Sequence, residues 1–263
     1  MKIAILGAGA FGTALGGILA ANGYDIDYYD SKLEREKLSD TLAGTVAVVL
    51  CVPSKAAPHL IPYIPREKPL IVATKGILSD APFKDFKDFM VISGPGFAKD
   101  IKAKKHTLLT VTDDRLKEMF SADYMDFDET KDRRGVLMCG GLKNVYALRA
   151  GFLKLERGTS ARSTFLSKVR AEMRMLLAAN GADPKTVDLA CGRGDLDLTC
   201  AMPSRNYEFG FKLADNADYM PEKTVEGLSA LRRIRRGEIE VPAGTKILHE
   251  ILETIDEREK LGG

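Results

Sequence analysis

The 263-residue sequence predicts an α/β domain with a doubly wound parallel sheet, followed by an all-helical domain. Continuous Val/Ile/Leu runs alternate with amphipathic stretches in the first half, a glycine motif follows the first of these runs, and β-like runs end near residue 129. Apolar runs separated by helices indicate a parallel sheet that is buried on both faces. We therefore predict one domain at 1–128 and a second at 129–263.

Short apolar runs predict the strands of the first domain, and helical spacing predicts the helices of the second. The strand candidates, each bounded by glycine, proline or polar residues, are KIAIL, DIDYY, TVAVVLCV, PLIVAT, FMVIS and HTLLTV. In the second domain, segments that begin at residues 134, 160, 203, 224 and 242 carry apolar residues at helical spacing.

Composition and charge exclude several classes of protein. Lysine and arginine total 39 against 37 acidic residues, which is too balanced for a protein that binds nucleic acid or membrane surfaces through phosphate neutralisation. The four cysteines form no CxxC pair and lie near no histidine cluster, so we expect no metal site. The N-terminus lacks a secretory signal, and no apolar run could span a bilayer. We expect a cytoplasmic protein with reduced thiols.

The motif GAGAFG predicts a dinucleotide-binding loop and hence a Rossmann-type domain. Gly7, Gly9 and Gly12 follow the first strand and open a helix, where bare backbone N–H groups can meet a pyrophosphate. The second strand ends at Asp30, whose carboxylate can accept hydrogen bonds from the adenosine ribose and would repel a 2′-phosphate. NAD is therefore favoured over NADP. The alternative is that Asp30 starts a turn or caps the following helix.

A lysine and an asparagine interrupt the small-residue helix GGLKNVYALRAG. The helical neighbours of Lys143 include no acidic residue; they are Cys139, Gly140, Tyr146 and Ala147. A solvated lysine usually has another charge within that reach. Lys143 therefore lies either at the mouth of a site or as an extended side chain at a domain interface.

Seven short blocks resemble the NAD(P)-dependent glycerol-3-phosphate dehydrogenases. The blocks occur in the order of that family and span almost the whole chain: CVPS, TKG, SGPGFA, GGLKNV, GRGDLDLTC, SRNYEFG and VEG. The resemblance implies reversible hydride transfer between NAD(P)H and C2 of dihydroxyacetone phosphate, giving sn-glycerol 3-phosphate. It also implies a homodimer with a role in glycerophospholipid metabolism and lipid biosynthesis.

The resemblance also implies roles for individual residues. Lys143 matches the acid/base lysine that protonates the carbonyl oxygen, and partial desolvation on a carboxylate-free helical face would lower its pKa toward neutrality. Asp195 is expected near Lys143, where it would help to fix the charge of the lysine; the alternative is a helix N-cap. At a predicted helix start, Ser204, Arg205 and Asn206 are expected to hold the phosphate.

The remaining assignments also follow from the resemblance. The other substrate ligands are expected to be Lys75, Gly94, Gly96, Asn144 and Thr199. The cofactor ligands are expected to be Gly7, Gly9, Ala10, Phe11, Gly12, Asp30, Pro53, Lys75, Ala98, Arg205 and Glu226.

Three features depart from the family pattern. The segment between Asp30 and Thr45 is short and lacks the usual block of an asparagine followed by YLP, which predicts a missing or reduced third strand. GPGFA places Gly96 where the family has a hydroxyl residue that approaches the substrate, which predicts weaker substrate affinity. The tripeptide SKV, residues 167–169, stands where the family has TRG.

Three alternative functions remain open from the sequence. The segment 187–198 looks like the first glycine motif of an S-adenosylmethionine methyltransferase, but predicted helices, not strands, follow it. A related β-hydroxyacid-type dehydrogenase would place the lysine and asparagine several residues apart, whereas here they are adjacent. The trimmed loop and Gly96 also fit a catalytically weakened NAD-binding sensor.

Overall fold

The computed structural model describes residues 1–30, 36–216, 218–221 and 224–261. Contacts divide the chain into two compact units. The first consists of Met1–Lys75 and Asp80–Val136, and the second of Gly76–Ser79 and Leu137–Gly263. The main division at 136/137 falls eight residues beyond the domain boundary that the sequence predicts.

The first unit contains a seven-stranded sheet with the order β2-β1-β3-β4-β5-β6-β7. The strands are β1 (Lys2–Leu6), β2 (Asp25–Tyr29), β3 (Ala47–Leu50), β4 (Leu70–Val72), β5 (Phe89–Ser93), β6 (Thr107–Val111) and β7 (Met125–Glu129). Strands β1 to β5 pair in parallel, and β1, β3, β4 and β5 are almost wholly buried, as expected for a sheet covered on both faces. Each of the six predicted runs contains an observed strand.

Helices connect the strands of the first unit. They are α1 (Ala10–Ala21), α2 (Glu36–Leu42), α3 (Ala57–Leu60), α4 (Ala98–Lys102) and α5 (Asp114–Met119). Helix α1 packs one apolar face on the sheet, because Leu15, Ile18 and Leu19 join Ile3 and Ile5 in the core. This packing fixes the start of α1 directly after β1.

The far edge of the sheet differs from the all-parallel prediction. Strands β5 and β6 pair antiparallel, with Ile92 opposite Val111. The connection contains only α4, whose five residues rise about 7.5 Å, less than half the length of a five-residue strand, so the chain does not return to the opposite end of the sheet. Strand β7 was not predicted because MDFDE contains no run of apolar residues, although its alternation of apolar and acidic residues is the pattern of a half-exposed edge strand.

The shortened segment lies beside the other edge of the sheet. Strand β2 pairs only with β1 in the described sheet, and residues 36–42 form α2 instead of a strand. The short segment for which a missing or reduced strand is predicted also includes residues 31–35, which lie outside the described residues.

The described part of the second unit contains helices and no strand, which confirms the all-helical prediction. The helices are α6 (Arg133–Phe152, which starts in the first unit), α7 (Ser160–Ala179), α8 (Asp195–Thr199), α9 (Arg205–Asp215), α10 (Glu226–Arg235) and α11 (Lys246–Leu261). Helical turns at Pro184–Asp188 and Ala190–Gly194 precede α8, and the second is a π-helical turn. The segment 187–198 therefore lacks the strand that a methyltransferase motif requires.

Two glycines allow α6 and α9 to pack in direct backbone contact. A Cβ added to Gly151 would lie 1.9 Å from the carbonyl oxygen of Tyr207, and one added to Gly210 would lie 2.0 Å from that of Leu148. Any side chain at either position would force the helices apart. The close approach lets side chains of the two helices form hydrogen bonds directly.

A buried carboxylate joins three helices of the second unit. Glu172 on α7 accepts hydrogen bonds from the Tyr146 hydroxyl of α6 at 3.0 Å and from the backbone amides of Ile247 and Leu248 at 2.6 and 3.2 Å. The first amides of a helix have no partner within the helix, and a negative charge is favourable there. Glu172 therefore anchors the start of α11.

Candidate functional site

The loop between β1 and α1 has the backbone geometry of an anion-binding turn. Gly7 has φ +113°, and a Cβ there would lie 2.4 Å from the carbonyl oxygen of Cys51. A Cβ on Gly12 would lie 2.0 Å from the carbonyl oxygen of Gly7, so both positions require glycine. Around Gly9, the residue before α1, no atom lies within 4 Å of an added Cβ. The loop therefore offers open backbone to a pyrophosphate at a helix start, which fits a dinucleotide.

Asp30 lies next to this loop. It follows the last residue of β2, and the amide of Gly7 donates a hydrogen bond to the carbonyl oxygen of Tyr29 at 2.8 Å. Ala10 and Phe11 form the first turn of α1. The structure thus brings the predicted ribose ligand and the predicted pyrophosphate loop together, in the arrangement that dinucleotide-binding sheets use.

Lys75 connects three segments at the same end of the sheet. Its ammonium donates to the carbonyl oxygen of Gly94 at 3.1 Å and lies 5.2 Å from the centre of the Phe11 ring. Burial raises the pKa of the neighbouring Cys51 thiol to about 12, although Lys75 favours the thiolate. Cys51 is therefore a neutral thiol near neutral pH.

Gly96 lies in a tightly packed position. A Cβ there would lie 3.2 Å from Leu109 Cδ2, 3.3 Å from Ile101 Cδ1 and 3.4 Å from Thr107 Cγ2. A hydroxyl residue at this position would direct its Cβ toward these side chains, and they would have to give way by a few tenths of an ångström. Side chains of α4 and β6 therefore leave little room for a side chain at position 96.

All candidate residues of the first unit lie at the carboxyl ends of the parallel strands β1 to β5. The glycine loop follows β1, Asp30 follows β2, Pro53 follows β3, Lys75 follows β4, and the segment with Gly94, Gly96 and Ala98 follows β5. Ligands of open α/β sheets bind outside these strand ends. The first unit therefore presents one continuous candidate site for a nucleotide.

In the second unit, Lys143 and Asp195 form a buried pair. Each side chain is 2% exposed, and the ammonium of Lys143 contacts Asp195 Oδ2. The Thr199 hydroxyl donates to Asp195 Oδ1 at 3.4 Å. Asp195 is the first residue of α8 and does not cap it, because the N-cap position is Gly194. Helix α8 thus provides the carboxylate that the helical neighbours of Lys143 lack.

The charge of Lys143 depends on two opposing effects. Burial disfavours a charged ammonium, whereas contact with a carboxylate stabilises it. Burial also raises the pKa of the nearby Cys200 thiol to about 12, so this cysteine adds no negative charge near neutral pH. Asp195 provides a carboxylate in direct contact with the ammonium of Lys143.

Asn144, next to Lys143, belongs to a hydrogen-bonded chain across three helices. Asn206 Nδ2 on α9 donates to Asn144 Oδ1 at 2.8 Å, and Asn206 Oδ1 accepts from the amide of Gly227 on α10 at 2.9 Å. Asn144 Nδ2 donates to the carbonyl oxygen of Gly140 at 3.1 Å. Both amide side chains are buried, so their orientations are fixed by these contacts.

The start of α9 combines a capped helix end with a cation. Ser204 is the N-cap, as predicted, and its Oγ accepts from the amide of Tyr207 at 3.5 Å. Arg205 is exposed at the first helical position, and Glu226 begins α10. Arg205 also lines a cleft of about 310 Å³. The other lining residues are Glu208, Phe209, Lys212, Tyr219, Pro221 and Val225.

Arg162 was missed by the sequence analysis. Its guanidinium donates from Nη2 to the carbonyl oxygen of Asp197 at 2.5 Å and from Nε to that of Cys200 at 3.3 Å. These partners are backbone atoms 35 and 38 residues away, so no local pattern in the sequence indicates the contact. Arg162 therefore adds a second cation beside α8.

The described residues contain no group of three or more His, Cys, Asp and Glu side chains that could hold a metal ion. Within the same ranges, no helix combines the length and the apolar character needed to cross a membrane.

Comparisons with known proteins give a consistent family. Residues 132–261 match the family model described as the C-terminus of NAD-dependent glycerol-3-phosphate dehydrogenase. A glycerol-3-phosphate dehydrogenase (NAD(P)+) of Citrifermentans bemidjiense is 31% identical, with 81% of this chain and 78% of that protein aligned. The enzyme of the same name from Leptospira biflexa is 30% identical, with 96% and 89% aligned.

A solved structure extends the comparison to the fold. The crystal structure of glycerol-3-phosphate dehydrogenase from Coxiella burnetii superposes with a TM-score of 0.75 at 25% identity. The alignment covers 99% of this chain and 98% of that structure. The similarity therefore extends over both units of the chain.

Proposed function

The chain belongs to the NAD(P)-dependent glycerol-3-phosphate dehydrogenase family, and on this premise we propose that it interconverts dihydroxyacetone phosphate and sn-glycerol 3-phosphate. The observation that carries the proposal is the buried contact of Lys143 with Asp195, because it provides a proton donor held in a defined place. The related β-hydroxyacid-type dehydrogenases are not favoured, since the relatives described above are all glycerol-3-phosphate dehydrogenases.

The first unit would hold the dinucleotide. The backbone around Gly7, Gly9 and Gly12 would bind the pyrophosphate, and the carboxylate of Asp30 would accept hydrogen bonds from the adenosine ribose. When bound, the nicotinamide supplies the hydride. We propose NAD as the preferred cofactor, because Asp30 would repel the 2′-phosphate of NADP.

Lys143 would act as the acid and the base. In the direction of reduction, its ammonium donates a proton to the carbonyl oxygen of the substrate, which becomes the C2 hydroxyl. In the reverse direction, the neutral amine accepts the proton from that hydroxyl. Asp195 keeps the ammonium charged and fixed in place before transfer, while Thr199 orients the second oxygen of the carboxylate.

The phosphate of the substrate would be bound at the start of α9. The positive end of the helix and the Arg205 guanidinium both favour a dianion. The side-chain oxygen of Asn206 accepts from the amide of Gly227, and one of its N–H groups donates to Asn144. The second N–H group of the side chain is therefore the one that would donate to a phosphate. Asn206 would thus connect phosphate binding to the residue beside Lys143.

The resemblance supports three further proposals. They are a homodimer, a cytoplasmic location, and the supply of sn-glycerol 3-phosphate for glycerophospholipid synthesis. Sedimentation equilibrium of the purified protein tests the first, and a single species of monomer mass would contradict it.

A steady-state assay with a matched variant tests the proposed reaction. The wild-type protein is expected to oxidise NADH when dihydroxyacetone phosphate is added. Lys143→Ala is expected to lower kcat by about a hundredfold or more, because general acid–base catalysis contributes this order. NADH binding, measured by fluorescence titration, should remain unchanged. Wild-type protein that binds NADH without turnover would instead support the sensor function.

A further inference from the structure

Arg162 holds the end of the helix that carries the partner of Lys143. Its side chain is 12% exposed, and its guanidinium donates to the carbonyl oxygens of Asp197 and Cys200 at 2.5 and 3.3 Å. Both carbonyls lie in the last turn of α8 or directly after it, where helical carbonyls lack intrahelical partners and a cation is favourable. Arg162 thus satisfies acceptors that the helix itself leaves open.

Helix α8 depends on such external contacts for its position. It has five residues, far fewer than an isolated helix needs for stability in water, and a π-helical turn precedes it. The same short helix carries Asp195 and Thr199. The charges of Arg162 and Lys143 both act on the buried Cys200 thiol, so both cations lie close to the end of α8.

We propose that Arg162 is a positioning residue that holds α8 so that the Asp195 carboxylate stays in contact with the Lys143 ammonium. This inference rests on the proposed function, in which Lys143 transfers the proton. The backbone contacts carry the effect, because the Asp197 carboxylate lies 3.8 Å from the guanidinium and is 44% exposed. Loss of the guanidinium would let α8 shift and would leave the proton donor poorly oriented.

Steady-state kinetics of Arg162→Ala tests the proposal. We expect kcat to fall by about tenfold to a hundredfold, the range for hydrogen bonds to a charged group, while the KM for dihydroxyacetone phosphate and the Kd for NADH change by less than about twofold. Added guanidinium ion should restore part of kcat in this variant. Arg162→Lys should give an intermediate kcat, because lysine keeps the charge but lacks the planar guanidinium that donates to both carbonyl oxygens.

Two control variants separate the backbone contacts from other effects. Arg174→Ala removes another arginine from α7, one that pairs with Asp188 at 2.5 Å on the surface, and should keep the wild-type kcat. Asp197→Asn removes the carboxylate but leaves the carbonyl that Arg162 contacts, and should also keep it. A loss in Asp197→Asn equal to that in Arg162→Ala would overturn the proposal, as would wild-type kcat in Arg162→Ala or an equal loss of NADH affinity.

A structural measurement keeps this inference distinct from the proposed function. Wild-type protein without turnover would refute the proposed reaction, whatever the role of Arg162. The rate at which iodoacetamide labels Cys200, followed by peptide mass spectrometry, does not depend on turnover. Arg162→Ala should label at least about tenfold faster than Arg174→Ala, because a loosened α8 exposes a buried thiol. Equal labelling rates would show that Arg162 does not hold α8.

Discussion

At the scale of single residues, two buried charged groups of the second unit each contact groups that favour the charge. The buried ammonium of Lys143 is in contact with Asp195, and the buried carboxylate of Glu172 accepts hydrogen bonds from two backbone amides and a hydroxyl. Arg205 differs from both, because it is exposed beside the cleft at the start of α9. An exposed guanidinium at a helix start suits a ligand that arrives with its own negative charge.

Arg205→Ala is expected to weaken recognition of the phosphate. The KM for dihydroxyacetone phosphate should rise by about tenfold to a hundredfold, because a charge-assisted hydrogen bond contributes about 1.5–3 kcal/mol. Turnover of unphosphorylated dihydroxyacetone should change little. Arg236→Ala, which removes an exposed arginine at the end of α10, is the control. An equal loss with both substrates would argue against phosphate binding by Arg205.

Asp30→Asn is expected to relax the choice of cofactor. The substitution keeps the shape of the side chain but removes the charge that would repel a 2′-phosphate, a repulsion of about 1–2 kcal/mol in a partly solvated site. The ratio of kcat/KM for NADH to that for NADPH should fall about tenfold. Asp25→Asn, at the opposite end of the same strand, should leave this ratio unchanged. Equal use of NADH and NADPH by the wild-type protein would refute the preference itself.

At the scale of helices and strands, local patterns explain what could be predicted from the sequence. Continuous apolar runs identified β1 and β3 to β6, and helical spacing identified the long helices of the second unit. The pairing direction of β5 and β6 could not be predicted, because it depends on the short reach of α4 between them. The contacts of Arg162 and Glu172 were missed for a related reason: their partners include backbone groups from 35 to 76 residues away.

Glu172→Gln is expected to destabilise the second unit by about 1–3 kcal/mol. The amide offers one oxygen where the carboxylate offers two, and its NH2 group faces donors that then lack an acceptor. Urea unfolding measures the change in free energy. Glu250→Gln removes an exposed carboxylate that pairs with Arg149 at 2.8 Å and should cost less than about 0.5 kcal/mol. Equal costs for the two variants would mean that Glu172 does not anchor α11.

At the scale of the whole molecule, the candidate residues within each unit come from segments that are far apart in the sequence. The sheet ends of the first unit could be predicted from strand order and the glycine motif, since parallel strands place their carboxyl ends together. The contact of Lys143 with Asp195 spans 52 residues, and before the structure only the family resemblance indicated it. Local sequence patterns predict helices and strands. The pairing of side chains that are far apart in the sequence depends on how the folded chain packs.

The pH dependence of stability is a second property of the whole molecule, because each unit contains a cysteine thiol whose pKa is raised by desolvation. Burial raises the pKa of Cys51 and of Cys200 from 9.0 to about 12. As the pH rises, the two thiols therefore lose their protons at a lower pH in the unfolded chain than in the folded chain. The stabilisation from both groups is complete below pH 9 and is lost as the pH rises toward 12. Burial also raises the pKa of Tyr146 well above 10.0. The stabilisation that comes from this hydroxyl is therefore lost at higher pH than that from the thiols.

Between pH 9 and 10, the free energy of unfolding is expected to fall by about 1 kcal/mol for each of the two thiols, or about 2 kcal/mol for both. Urea unfolding under reducing conditions at pH 8, 9 and 10 measures this fall. Cys51→Ala and Cys200→Ala each lower the stability at pH 8 by leaving a cavity, but each should reduce the fall between pH 9 and 10 by about half. Tyr146→Phe should reduce the fall in this interval by no more than about 0.4 kcal/mol, because a tyrosine hydroxyl of the unfolded chain, with its usual pKa of about 10, is only half ionised at pH 10. A free energy that stays constant from pH 8 to 10 in the wild-type protein would show that the two thiols are not held in the neutral form by folding.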